Sequence, residues 1–269
     1  MNRREIALAL GGFVATAELP TVGISAAPAA TGSEGNAGPA PARPKVGLLV
    51  DPEMLLLDLV GPQTILSIAM AEIHLIGKTR DPVVTDVGIP IGPTATFADS
   101  PANLDILFVP GRLGGTVKLM RDREVLDFLA DHGRRARYVT SVCTGSLLLA
   151  AAGLLRGYRA ASQWYVRDLL PLMGATMATD RVVVDRNRIT GGGVTAGLDF
   201  GLTLAAALHG DDTAQRIQLL LEYAPKPPCD AGEPETAGTS LVHEVLARRK
   251  PLIDAARAAA AEASAAVRE

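Results

Sequence analysis

Apolar positions along the chain fall into two patterns. Short runs rich in apolar residues at 46–50, 73–76, 106–109 and 138–142 read as strands, and 182–184 with Ile189 reads as a later hairpin or strand pair. Between them lie longer amphipathic stretches, which predict helices over 58–71, 122–134, 145–152, 165–173, 196–209 and 212–223. Gly61-Pro62, Pro110-Gly111, Gly153, Gly174, residues 185–187 and the triple glycine at 191–193 mark the turns. Strands alternating with helices predict an α/β fold, a mostly parallel sheet flanked by helices, in one domain over residues 45–237. No segment recurs at a fixed period, which excludes solenoids and propellers.

Outside that body the pattern changes. Residues 1–30 run from paired Arg3 and Arg4 through an apolar stretch at 6–17 to small residues, the order of an export signal, and resemble the twin-arginine type. The competing reading is a disordered cytoplasmic extension. If the signal is used, the protein is periplasmic or secreted; otherwise it is cytoplasmic. Residues 31–44, rich in Ala, Gly, Pro and Ser, read as a disordered linker. Residues 238–269 carry mixed charge and an alanine-rich run at 255–266, which predicts a C-terminal helical tail packed on the body or on a partner subunit. No stretch reaches the ~20 apolar residues of a membrane span, so the mature form is expected to be soluble and off the membrane.

Composition narrows the function classes. Hydrophobic residues make up 48% and charged residues 20%, as in ordinary globular proteins. The formal charge of -3 argues against a binder of nucleic acid, which needs a basic footprint. Cys143 and Cys229 are too few for a disulfide framework, and His74, His132, His209 and His243 are too scattered for a metal cluster.

Three segments can carry chemistry. Residues 137–146 run a strand directly into a helix, with Cys143 at the corner and Thr144 after it. At the start of a helix the amides and helix dipole favour a thiolate, and the Thr144 amide would face an oxyanion formed beside the sulfur. A buried cysteine filling a strand end is the competing reading. Asp58, in the apolar segment 55–60, follows the first strand; burial would raise its pKa and let it hold or donate a proton, unless it merely caps its helix. Gly111 and Arg112 follow the third strand in a loop over residues 110–115, whose amides could complete an anion-stabilising pocket; a plain loop is the competing reading. Gly191, Gly193 and Ala196 satisfy the spacing of a dinucleotide fingerprint, but no second strand precedes Asp211, so this segment reads as a tight turn lining the same cleft through Gly192.

Together, Leu57-Asp58-Leu59-Val60-Gly61-Pro62, Phe108-Val109-Pro110-Gly111, residues 138–155, residues 190–200 and Leu221-Glu222-Tyr223-Ala224-Pro225 resemble the ThiJ/PfpI superfamily, and within it the isonitrile hydratase branch. The resemblance implies a flavodoxin-like fold of the glutamine-amidotransferase type, a homodimer, and neither cofactor nor metal. It implies Cys143, Asp58 and Thr144 as catalytic residues, with Gly111, Arg112, Gly192, Gln163 and Trp164 binding substrate. Many relatives carry glutamate where Asp58 stands, which favours the hydratase branch. Many also carry histidine where Gln163 stands, a change that removes Cys-His chemistry and leaves Cys-Asp chemistry intact. Arg112 replaces a glycine usual in the family and narrows the pocket mouth. The implied activity is addition of water to an isonitrile, a small-molecule substrate, giving an N-substituted formamide. The alternatives are a glyoxalase or deglycase acting on reactive carbonyls, and a non-catalytic ligand-sensing module like those that relatives fuse to DNA-binding regions.

Overall fold

The computed structural model describes residues 43–266. The export-signal reading of 1–30, and all but the last two residues of the linker reading, lie outside the described residues.

In chain order the elements are β1 (Lys45–Leu49), α1 (Leu56–Ile68), β2 (Glu72–Gly77), the short strands β3 (Val83–Val84), β4 (Pro90–Ile91) and β5 (Ala95–Thr96), then β6 (Ile106–Val109), α2 (Leu113–Leu119), α3 (Arg123–Arg135), β7 (Tyr138–Ser141) and α4 (Gly145–Ala151). There follow β8 (Arg159–Ala160), a 3-10 helix (Arg167–Met173), β9 (Thr176–Met177), β10 (Val182–Asp185), β11 (Arg188–Gly191), α5 (Ala196–His209), α6 (Asp211–Leu220), α7 (Pro234–Ala237) and α8 (Thr239–Ala266).

The main sheet has seven strands in the order β10-β11-β7-β6-β1-β2-β5. Every pairing in it is parallel except β10 with β11. Its principal strands, β2-β1-β6-β7-β11, follow the 2-1-3-4-5 order of flavodoxin-like sheets. In that order the winding reverses between the first and third strands, and the crevice at their carboxyl ends is where such folds bind ligands. Here β1 and β6 flank the crevice.

Helices cover both faces. On one, α1 and α5 pack over a cluster in which Phe108 and Phe200 stack with ring centroids 5.4 Å apart. They approach closely because Gly201 leaves room for Ile65, whose Cδ1 lies 2.8 Å from where a Cβ would stand. The other face holds the larger cluster, built on α2, α3 and α4 and including Ala256, Ala259, Ala260 and Ala263 of α8. Spacings of three and four put these alanines on one stripe, so α8 lies close against α2, α4 and the 3-10 helix. Arg121–Glu262 at 2.7 Å and Arg257–Asp168 at 2.6 Å flank the contact. Pro251 sits within α8, and no residue from 239 to 250 is buried.

Two local expectations change. The segment at 165–173 is a 3-10 helix rather than an α-helix; Pro171 lies inside it and Gly174 ends it at φ 85°. Residues 113–115, expected in a loop, open α2: Leu113, Val117 and Met120 are buried, and that packing overrides the poor helix propensity of Gly114 and Gly115. No helix of the described residues is long and apolar enough to cross a membrane.

The α8 seam has no room for larger side chains. Ala260→Leu is expected to lower stability by about 1–3 kcal/mol, seen as a melting temperature several degrees lower; an unchanged melting temperature would show that the helix is not held by this contact.

Candidate active site

Cys143 occupies the corner between β7 and α4 with φ 56°, a left-handed conformation that a non-glycine residue adopts only when its surroundings impose it. Its N–H donates to the Gly192 carbonyl at 2.7 Å, and its own carbonyl accepts from the Ser162 hydroxyl at 2.9 Å and from the Gln163 N–H at 3.3 Å. The corner is thus held from the β11–α5 turn and from the segment after β8. Gly145 is required at the next step, since a Cβ there would collide with the Val109 carbonyl oxygen at the end of β6.

Asp58 reaches the same spot from the third position of α1. It does not cap that helix: Leu55 holds the cap position, and the Leu56 N–H is met instead by Asp86 Oδ1 at 2.9 Å, from a distant turn. The fully buried Asp58 carboxylate is free of the cap, and its Oδ2 accepts from the Gly111 N–H at 2.9 Å. Its Oδ1 is buried with no partner of ordinary hydrogen-bond geometry.

Thr144 completes the cluster. Its Oγ1 accepts from the Arg112 N–H at 2.9 Å and pairs with the Thr116 hydroxyl at 2.7 Å. The amides of Gly111 and Arg112 therefore brace Asp58 and Thr144 rather than lying open for an oxyanion, which corrects the expectation for that loop. Gly111 itself leaves no space, since a Cβ there would stand 2.5 Å from the Thr144 nitrogen.

The proton balance also departs from expectation. Burial pushes the Cys143 thiol well above its ordinary value and the neighbouring Asp58 charge pushes it further, while the Thr144 amide and hydroxyl oppose them. A helix of only seven residues adds little dipole against that desolvation. Burial likewise raises Asp58 from 3.8 to about 7, against the Gly111 N–H and the Cys143 thiol, which favour its charged form. Thiol and carboxyl thus form a coupled pair, doubly protonated in acid and sharing a single proton above about pH 7.

A cleft of about 390 Å³ opens onto Cys143. Gln163, Trp164 and Arg112 line it as expected, and Arg112 donates to Glu53 Oε2 at 2.9 Å. Gly192 does not line it: it borders a neighbouring cavity of about 470 Å³, which Gln163 and Trp164 also border. Gln163 Oε1 is buried without a partner, 2.8 Å from where a Cβ on Gly193 would stand. Sequence reasoning missed Tyr165, Asp86 and, from α8, Val245 and Arg249, all of which line the cleft. No histidine does. Among the described residues no group of three or more His, Cys, Asp or Glu side chains is arranged to hold a metal ion.

Residues 44–207 match the DJ-1/PfpI family. The chain is 50% identical over 208 residues to the isonitrile hydratase of Pseudomonas putida, an alignment covering 77% of this chain and 90% of that enzyme. A ThiJ/PfpI family protein from Pseudomonas syringae, solved by crystallography, superposes with a TM-score of 0.80 at 45% identity, over 87% of this chain and 97% of that one. An HTH-type transcriptional regulator of Pseudomonas aeruginosa, GbdR, is 34% identical over 140 residues, 51% of this chain but 37% of the regulator.

The raised Asp58 pKa fixes the sign of a stability effect. Between about pH 4 and pH 7 the folded protein holds a proton that the unfolded chain has released, so this contribution is present in acid and is lost as pH rises through about 7. Asp58→Asn carries no charge to bury. The melting temperature of Asp58→Asn minus that of wild type should therefore become more positive from pH 5 to pH 8, and a difference that stays flat would contradict the shift.

Proposed function

The chain belongs to the DJ-1/PfpI family, and we propose that within it this protein adds water to isonitriles, giving N-substituted formamides. The observation that carries the proposal is the buried Cys143–Asp58 pair at the base of a cleft that no histidine enters. Cysteine amidases and peptidases need a base such as histidine to activate the sulfur and then to protonate a leaving amine. An isonitrile has no leaving group. Its terminal carbon must gain a sulfur and a proton, and a thiol beside a carboxylate can deliver both.

In the proposed cycle Asp58, as carboxylate, takes the thiol proton and passes it to the isonitrile carbon as the sulfur bonds to that carbon, giving a thioimidate, R–N=CH–S–Cys143. The Thr144 amide and hydroxyl, both within reach of the sulfur, oppose its tendency to stay protonated. Asp58 then takes a proton from water as the oxygen adds to the same carbon and gives that proton to the nitrogen, forming R–NH–CH(OH)–S–Cys143. Collapse breaks the C–S bond, the hydroxyl proton passes through Asp58 to the sulfur, and R–NH–CHO leaves with the thiol restored. Atoms balance as isonitrile plus water to formamide. The 50% identity to an isonitrile hydratase across nine-tenths of its length supports the same assignment.

The assay is formamide release from a simple isonitrile, with methylglyoxal loss as the control for a glyoxalase activity. Cys143→Ala is expected to abolish turnover, and Asp58→Asn to lower kcat about 10²–10⁴-fold. Because the doubly protonated pair has no base to start the cycle, kcat/KM of the wild type should rise with pH through about 7 and then level off. Asp58→Asn should lose that limb. Turnover that survives loss of the sulfur would remove the proposal.

A further inference from the structure

The amphipathic pattern of α8 does not account for one of its cations. Arg248 pairs with Glu244 at 2.8 Å, Lys250 with Asp254 at 2.8 Å and Arg257 with Asp168 at 2.6 Å. Arg249 makes no ion pair or hydrogen bond among the described residues, although it lies between two side chains that do. It stands one turn after Val245, and this pair of α8 residues lines the Cys143 cleft.

Of the other charges at the cleft wall, Arg112 is paired with Glu53, and Asp86 keeps its charge while its Oδ1 is held by the Leu56 N–H at the start of α1. That leaves Arg249 as the cleft cation without an acidic partner among the described residues. Leu55, Trp164, Val194 and Val245 also line the cleft and supply its apolar surface. A volume of about 390 Å³ exceeds what a bare isonitrile group needs, so the cleft has room for a substituent extending away from the sulfur. A ligand with its reacting carbon at Cys143 and its hydrocarbon against that apolar surface would meet an uncommitted guanidinium. Guanidinium recognises carboxylate by two parallel hydrogen bonds.

From this we infer that Arg249 makes the cleft selective for substrates bearing an anionic group on the substituent, so that the preferred isonitriles are carboxylate-bearing ones. The inference rests on the proposed isonitrile chemistry only for the reacting end of the substrate. Arg249 is then a specificity-determining residue supplied by the C-terminal helix, outside the 44–207 stretch that matches the family.

Two ratios test it in wild type, Arg249→Gln, Arg249→Glu and Arg249→Lys. The first is kcat/KM for an isonitrile ending in a carboxylate over that for its methyl ester. The second is the rate at which iodoacetate alkylates Cys143 over that for iodoacetamide, read by mass spectrometry on the Cys143 peptide so that the exposed Cys229 is counted apart. Both ratios should fall roughly five- to tenfold in Arg249→Gln, fall further in Arg249→Glu, and fall less in Arg249→Lys than in Arg249→Gln, because lysine keeps the charge but not the paired hydrogen bonds. Ratios that are unchanged in Arg249→Gln and Arg249→Glu would overturn the inference. If wild type hydrates neither isonitrile, the hydratase proposal fails on its own, and the alkylation ratio still decides the role of Arg249.

Discussion

The site depends on three loops, leaving β1, β6 and β7, that are joined at one point by hydrogen bonds between backbone amides and two buried side chains. The Gly111 N–H binds Asp58, the Arg112 N–H binds Thr144, and the Gly192 carbonyl holds the Cys143 amide from a fourth direction. None of these elements carries the chemistry alone. The parallel sheet brings the carboxyl ends of β1, β6 and β7 to one edge, and the glycines at 111 and 145 let the loops close to contact distance. Sulfur and carboxyl, far apart in sequence, therefore meet as a consequence of strand order.

Having met, they meet dry. In a low-dielectric setting two acidic groups cannot both ionise at modest cost: burial raises both, the Asp58 charge raises the thiol further, the thiol in turn favours the ionised carboxyl, and one proton serves both. That arrangement suits a reaction in which a proton and a nucleophile must arrive at one carbon together. It suits poorly a reaction that needs a standing thiolate and a separate acid for a leaving group. The buried, unpartnered Oδ1 of Asp58 fits the same picture, as an acceptor that the protein itself leaves without an ordinary donor.

Much of this was legible in the sequence because it depends on pattern. The apolar-rich runs at β1, β6 and β7 read as strands, the α5 bounds 196–209 follow from periodicity, and an acid set among leucines stands out on composition alone. Less legible was whatever depends on a distant partner. Asp58 reads equally as a helix cap until Asp86, from another turn, is seen holding the Leu56 amide. The Cys143 pKa was expected to fall, because helix position is visible in sequence whereas depth of burial is not. Gly114 and Gly115 hide a helix that tertiary packing stabilises, and nothing in a run of arginines and alanines shows that Arg249 will line the cleft.

Pro251 divides α8 into segments under different packing constraints. Its missing N–H removes a rung of the hydrogen-bond ladder between a segment with no buried residue and one whose alanines belong to the core. Mutations upstream of the proline can alter the cleft wall while leaving the fold nearly untouched, whereas those downstream meet the full resistance of a packed interior. The helix thus couples a tunable rim to an anchored root.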